Sequence, residues 1–136
     1  MERAMIPRYR AWDGGSLCRM YSPEEVMVCN GDIWIIDEDG VAGEWIVNND
    51  LVLMQSTGLT DKNDKEIFEG DVLKVTNLSS WLEVVSFNED KAMFVSKETK
   101  RKVEETPLYD LFNTDIFEVE IIGNIHTNPK LAEVKQ

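Results

Sequence analysis

The amino-acid sequence predicts a mainly β protein. An N-terminal β-hairpin lobe over residues 1–56 precedes a small barrel over residues 57–136 that ends in a short helical tail; one continuous domain is the alternative organisation. Three observations support this. Apolar residues alternate with polar ones or form short β-branched runs, such as Val72-Leu73-Lys74-Val75. Turn residues interrupt these runs about every eight to twelve residues, the rhythm of barrels and sandwiches. The block Thr57–Val75 combines two turns with two strands.

Taken in order, Tyr9–Trp12 reads as a strand, Asp13–Ser16 as a turn and Leu17–Tyr21 as the returning strand. Ser22-Pro23-Glu24-Glu25 has the residues of a capping box with Pro at the first helical position. The apolar run Val26–Cys29 behind it limits any helix to one turn. Asn30-Gly31 favours a tight hairpin, because both central residues of a type I′ turn need positive φ. It joins Val26–Cys29 to Ile33–Ile36. Asp37–Gly40 reads as a further turn, with Glu44–Val47 and Leu51–Met54 as the next strands. Trp81–Phe87 and Ala92–Val95 form another hairpin around Asn88–Lys91, and Lys97–Lys102 is a charged loop or edge extension. Pro107–Phe112 fits either a short helix or a short strand. Ile116–Ile125 is the last long strand, and Asn128–Leu131 starts the tail.

The central block is turn chemistry. Asp61-Lys62-Asn63-Asp64 suits a tight turn, since Asn and Asp bond to nearby backbone and accept positive φ. At Glu69-Gly70-Asp71, Gly70 supplies an angle that a Cβ would forbid, and a β-branched strand follows. A Gly-Asp pair opening such a strand is common in SH3-like barrels.

Three blocks carry a resemblance. They are Arg10-Ala11-Trp12-Asp13; Leu53–Leu59 with Asp61-Lys62-Asn63 and Lys65–Asp71; and Ile121-Ile122-Gly123-Asn124-Ile125 with Asn128-Pro129. In this order the chain resembles the YopX-like family of bacteriophage and prophage proteins. The resemblance implies a mainly β structure with an SH3-like barrel and no assigned activity. Its motif positions here are Trp12, Gly58, Gly70, Asp71, Gly123 and Asn124. Asp64 stands where the family usually has Gly, and His126 where an aromatic is usual.

With 136 residues and 43% hydrophobic composition, the chain can bury a core. No stretch approaches the roughly 20 apolar residues of a membrane span. The first residues lack the apolar centre of a signal peptide, so the expected location is the cytoplasm of a host bacterium. Cys18 and Cys29 fit no zinc spacing and are expected as small apolar residues in adjacent strands, unpaired in a reducing compartment.

The net charge of −12 is unevenly spread. Residues 1–20 total +2, residues 21–56 carry eight carboxylates and no Lys or Arg, and residues 91–102 total +4. Such segregation offers complementary patches for a partner protein or for a second copy.

No chemical constellation stands out. Asp61, Asn63 and Asp64 resemble the opening of a calcium loop, but Lys65 and Glu66 follow and Val72 stands where the closing Glu is needed. His126 is the only histidine, and no phosphate-binding glycine loop is present. Trp12, Trp34, Trp45 and Trp81 are expected in the core rather than on a stacking surface. The leading reading is therefore a non-catalytic module without cofactor or metal. It would bind an unknown host or phage protein or assemble with itself. The alternatives are a single-stranded nucleic-acid-binding barrel using Lys97, Lys100, Arg101 and Lys102, and an acidic DNA mimic acting on a host DNA-binding protein. The net charge opposes nucleic acid.

Overall fold

The computed structural model describes residues 6–15, 17–37, 43–101 and 103–132, and these are mainly β-strand. The chain splits into two compact units, Met1–Ser56 and Thr57–Gln136.

In chain order the first unit holds β1 (Tyr9–Asp13), β2 (Arg19–Tyr21), β3 (Val26–Cys29), β4 (Asp32–Ile36), β5 (Trp45–Val47) and the opening of β6 (Val52–Thr60). β1 lies between β2 and that opening, antiparallel to both. A second sheet has the order β3-β4-β5. Asn30 and Gly31 turn its first hairpin with φ of 52° and 81°, as a type I′ turn requires. Only one turn of 3-10 helix, Pro23–Glu25, precedes β3. Glu25 Oε1 accepts the Ser22 backbone N–H at 3.0 Å, the reciprocal half of a capping box. Of the expected Asp37–Gly40 turn, residues 38–40 lie outside the described residues.

Ala11, Tyr21, Val26, Ile35 and Leu51 form the core of this unit. Here the tryptophan expectation needs correction in part: all four tryptophans are half-buried, Trp81 packs against the core of the second unit, and Trp12, Trp34 and Trp45 belong to neither core cluster. Strand alternation supplies the reason. Ala11 and Ile35 take the inward positions, so their neighbours Trp12 and Trp34 point the other way. The cysteine expectation is corrected too. Cys18 lies outside a strand with φ of 48°, Cys29 ends β3, and both thiols are exposed and free.

The second unit holds the end of β6, then β7 (Glu66–Phe68), β8 (Asp71–Asn77), β9 (Ser79–Asn88), β10 (Met93–Glu98), β11 (Thr106–Pro107) and β12 (Glu118–Asn124). Five of these strands form one antiparallel sheet in the order β11-β10-β9-β8-β12, curled into a half-barrel. Ile67, Leu73, Val75, Val85, Leu108, Leu111 and Val119 fill it. Gly70 turns the chain into β8 with φ of 86°. Its N–H donates to the Val85 carbonyl and its own carbonyl accepts from the Ile125 N–H. Asp71 is buried and accepts the Phe68 N–H at 2.8 Å, closing the same turn.

Several boundaries differ from the sequence reading, among them those toward the C-terminus. Pro107–Phe112 resolves both ways, with Thr106–Pro107 pairing to β10 and Leu108–Leu111 forming a 3-10 turn that buries two leucines. The last strand starts at Glu118 rather than Ile116, which is exposed. Among the described residues the tail is a single 3-10 turn, Pro129–Ala132.

Candidate functional site

Asp61 is where the calcium-like opening falls, and its geometry is structural. One carboxylate oxygen accepts the N–H groups of Asn63 (2.8 Å) and Lys65 (3.0 Å), and the other accepts that of Ile121 (2.9 Å). Burial pushes this carboxyl up. The donors from Ile121, Lys65 and Asn63, with the Lys65 charge, outweigh that and hold it below the ordinary range. Its oxygens are therefore occupied in tying a turn to β12. Asp64, with φ of 61°, takes the left-handed angle of a residue where the related family has Gly.

The remaining motif positions are structural as well. Gly58 kinks β6 with φ of 78°. Gly123 follows a β-bulge at Ile122, and an added Cβ would sit 2.5 Å from Asn128 Oδ1. The Asn124 side-chain oxygen accepts the N–H groups of His126 and Thr127, which leaves His126 half-buried beside a capped turn.

Two surfaces have the character of binding sites. The first is one face of the β3-β4-β5 sheet. Register puts Met27, Trp34 and Val47 in one row, and Ile36 with Trp45 in the next row on the same face. Met27 and Val47 are about 40% and 43% exposed, and the other three are half-buried. The Trp34 indole N–H is buried without an acceptor among the described residues. Asp32 lies on the same face, and Glu44 adjoins Trp45 in sequence. Residues 21–56 supply no cation. Arginines from outside that stretch pair with some of its carboxylates: Arg8 reaches Glu24 at 3.5 Å, and Arg19 pairs with Glu25.

The second surface is a groove of about 490 Å³ in the other unit, lined by Lys74, Ser80, Trp81, Glu98, Lys100 and Arg101 among others. Lys74 comes from β8, Trp81 from β9, and Lys100 and Arg101 from the segment after β10. Buried Thr99 anchors that segment by donating its N–H to the Leu82 carbonyl at 3.0 Å. Arg101 forms a two-pronged bond to Glu98, both contacts 3.0 Å. Lys74 and Lys100 make no ion pair among the described residues. On the core side of the sheet, the face opposite Lys74, buried Glu83 accepts the Trp81 indole N–H at 2.7 Å and the Ser96 hydroxyl at 2.6 Å. A T-shaped contact with Phe117 also fixes the indole.

The structure thus joins Lys100 and Arg101 but leaves Lys97 exposed outside the groove, while Lys102 lies outside the described residues. Sequence reasoning missed Lys74 as a neighbour of Lys100 and Arg101. The alternation within Val72–Val75 marks Lys74 as outward. Only the pairing of Lys74 with Leu82 brings it beside β9.

Among the described residues no helix is long and apolar enough to cross a membrane, and no group of three or more His, Cys, Asp or Glu residues could hold a metal ion. Two solved structures are similar over nearly the whole chain. Protein EF1440 from Enterococcus faecalis is 25% identical with a TM-score of 0.62, covering 96% of this chain and 100% of its own. Protein yopX from Bacillus subtilis is 20% identical with a TM-score of 0.60, covering 95% and 98%; at that identity the likeness concerns the fold. A search of curated proteins finds no match. The family model described as YopX protein matches residues 8–133, and the chain therefore belongs to the YopX family.

Proposed function

We propose that the protein is a non-catalytic binding module whose first unit captures a partner protein through a cationic, partly apolar segment. The observation that carries this reading is the β3-β4-β5 face: a row of exposed and half-buried apolar side chains in a stretch with eight carboxylates and no Lys or Arg. Apolar contact gives such a face affinity, and the surrounding negative potential selects for positive charge. A second copy of the same face would bring like charges together, which disfavours self-pairing there. The Trp34 N–H, without an acceptor, marks a place that a partner's approach would reorganise. In the same reading the half-barrel of the second unit is SH3-like, and the module works in the cytoplasm of a bacterium that carries a phage or prophage.

The test uses the full chain, immobilised, to capture proteins from infected host cells at low and high salt. Met27→Lys and Val47→Lys change exposed positions on the face and leave the core intact. The expected result is a captured protein whose contact segment is rich in Lys and Arg. Either substitution weakens its binding at least tenfold, and so does raising the salt. Binding that survives both substitutions, or a partner with an acidic contact segment, would overturn the reading.

A further inference from the structure

We infer that the partner's segment binds as an added β-strand along the free edge of β5, its main chain bonded to Trp45 and Val47. This rests on the reading given above for the β3-β4-β5 face and names how the segment is held there.

The ladder fixes which backbone groups are free. β5 pairs with β4 alone. The Asp37 N–H donates to the Glu44 carbonyl at 2.9 Å, and the Asn48 N–H donates to the Ile33 carbonyl at 2.8 Å. Glu44 and Asn48 thus turn their backbone groups toward β4. Such groups alternate between the two sides of an antiparallel strand, so Ile46 does the same and Trp45 and Val47 turn theirs outward. Among the described residues no group bonds the Trp45 or Val47 backbone from that side.

The side chains suit strand pairing. Ile46 and Val47 are each about 43% exposed and lie on opposite faces, and Trp45 is half-buried. Residues 44–50 contain no Lys or Pro, and the β4–β5 register has no bulge, so none of these devices blunts the edge. The second unit treats its edges differently. Pro107 ends one in the two-residue β11. On β12 the Val119 carbonyl is taken by the Lys62 N–H and the Ile121 N–H by Asp61. On β3, the other edge of the β5 sheet, Val26 is buried, so less of the strand is open. Open edges capture extended peptides through main-chain bonds. Charge selects the peptide. Glu44 precedes β5 and Asp50 follows it, both exposed, and Asp32 and Asp37 stand at the two ends of β4. An antiparallel second copy of β5 would set carboxylates against carboxylates. A segment with an apolar centre and Lys or Arg at both ends meets opposite charge instead.

The probe is the peptide Lys-Lys-Val-Thr-Val-Thr-Val-Lys-Lys, capped at both ends and titrated into the full chain at low salt. Saturable binding is expected. Amide hydrogen exchange at Trp45 and Val47 should slow about tenfold or more, while Ile46, already bonded to β4, changes little. The same peptide N-methylated at its valines and threonines keeps its charge and side chains but loses its central main-chain donors. It should bind about tenfold more weakly. Val47→Pro removes an outward N–H that the ladder does not use, which an edge strand tolerates, and should weaken binding about tenfold. Val47→Thr keeps that N–H and the side-chain shape, and should leave binding nearly unchanged. Absent binding, unchanged exchange at Trp45 and Val47, or equal binding of the methylated peptide would overturn the inference. Slow exchange at both amides without peptide, strengthening with protein concentration, would give the edge to a second copy and overturn it too. The two readings fail separately. If Met27→Lys weakens capture while the peptide leaves Trp45 and Val47 unprotected, the face stands and the added strand falls. If the peptide protects them while capture ignores Met27→Lys, the added strand stands and the face falls.

Discussion

Removing the Asp61 side chain tests how the second unit is held together. Asp61 is 5% exposed, and its carboxylate serves three backbone donors, one of them sixty residues away in β12. Asp61→Ala leaves the N–H groups of Asn63, Lys65 and Ile121 without this acceptor. An orphaned buried donor costs about 1–3 kcal/mol. Asn63 and Lys65 are exposed residues whose N–H groups water can reach, whereas Ile121 is half-buried. Counting the Ile121 donor in full and the other two in part gives a loss of about 2–4 kcal/mol. Urea denaturation at neutral pH measures it as a lower midpoint with an unchanged slope. The pH dependence is an independent check. The folded carboxyl titrates below its ordinary value, so its contribution is complete above about pH 4 and is lost as pH falls through the folded pKa. The wild type should therefore lose more stability on acidification than Asp61→Ala does. A loss under about 1 kcal/mol at neutral pH, or parallel acid profiles, would show that water replaces the carboxylate and that the turn is not tied to β12 through it.

The other expectations concern single positions. Gly70→Val should destabilise by more than about 1 kcal/mol, because φ of 86° is hostile to a β-branched residue; an unchanged thermal midpoint refutes this. Trp12→Ala should cost about 1–3 kcal/mol, less than the 3–5 of a fully buried tryptophan, since Trp12 is half-buried. Gly123→Ala should cost about 1–3 kcal/mol by pushing Asn128 and Leu131 aside, seen as faster hydrogen exchange at Thr127 and Asn128. Leu78→Asn should stabilise by up to about 1 kcal/mol, because Leu78 sits fully exposed with φ of 62° and Asn tolerates that angle better.

What the sequence made legible was local. Asn30-Gly31, Asp61–Asp64 and Glu69-Gly70-Asp71 specify backbone angles that few other residues accept, and the structure has turns at each place. Alternation found most of the strands for a similar reason, since a sheet face needs a period of two. Which face points inward is a different matter. Ala11 is buried and Trp12 half-buried because β1 pairs with β2 and β6 in a register that nothing within Tyr9–Asp13 specifies. The link from Asp61 to Ile121 and the meeting of Lys74 with Lys100 were hidden for the same reason. Each depends on contacts between segments far apart in the chain. Pro107 was ambiguous because it ends a two-residue bridge and starts a 3-10 turn, so both readings hold over adjacent residues.

Leu78 bears on function as well as on stability. It is the tip of the β8–β9 hairpin, between Asn77 and Ser79, which pair across it. Its side chain is fully exposed and so adds nothing to the core, while its backbone sits in a region that costs a branched-chain residue about 1–2 kcal/mol. A position that breaks a local rule without packing in return suits a contact residue better than a structural one. If Leu78 serves a protein contact, Leu78→Asn should raise stability and weaken capture of that partner by the full chain. Raised stability with unchanged capture would show strain that is merely tolerated. Measuring both on one variant separates the two.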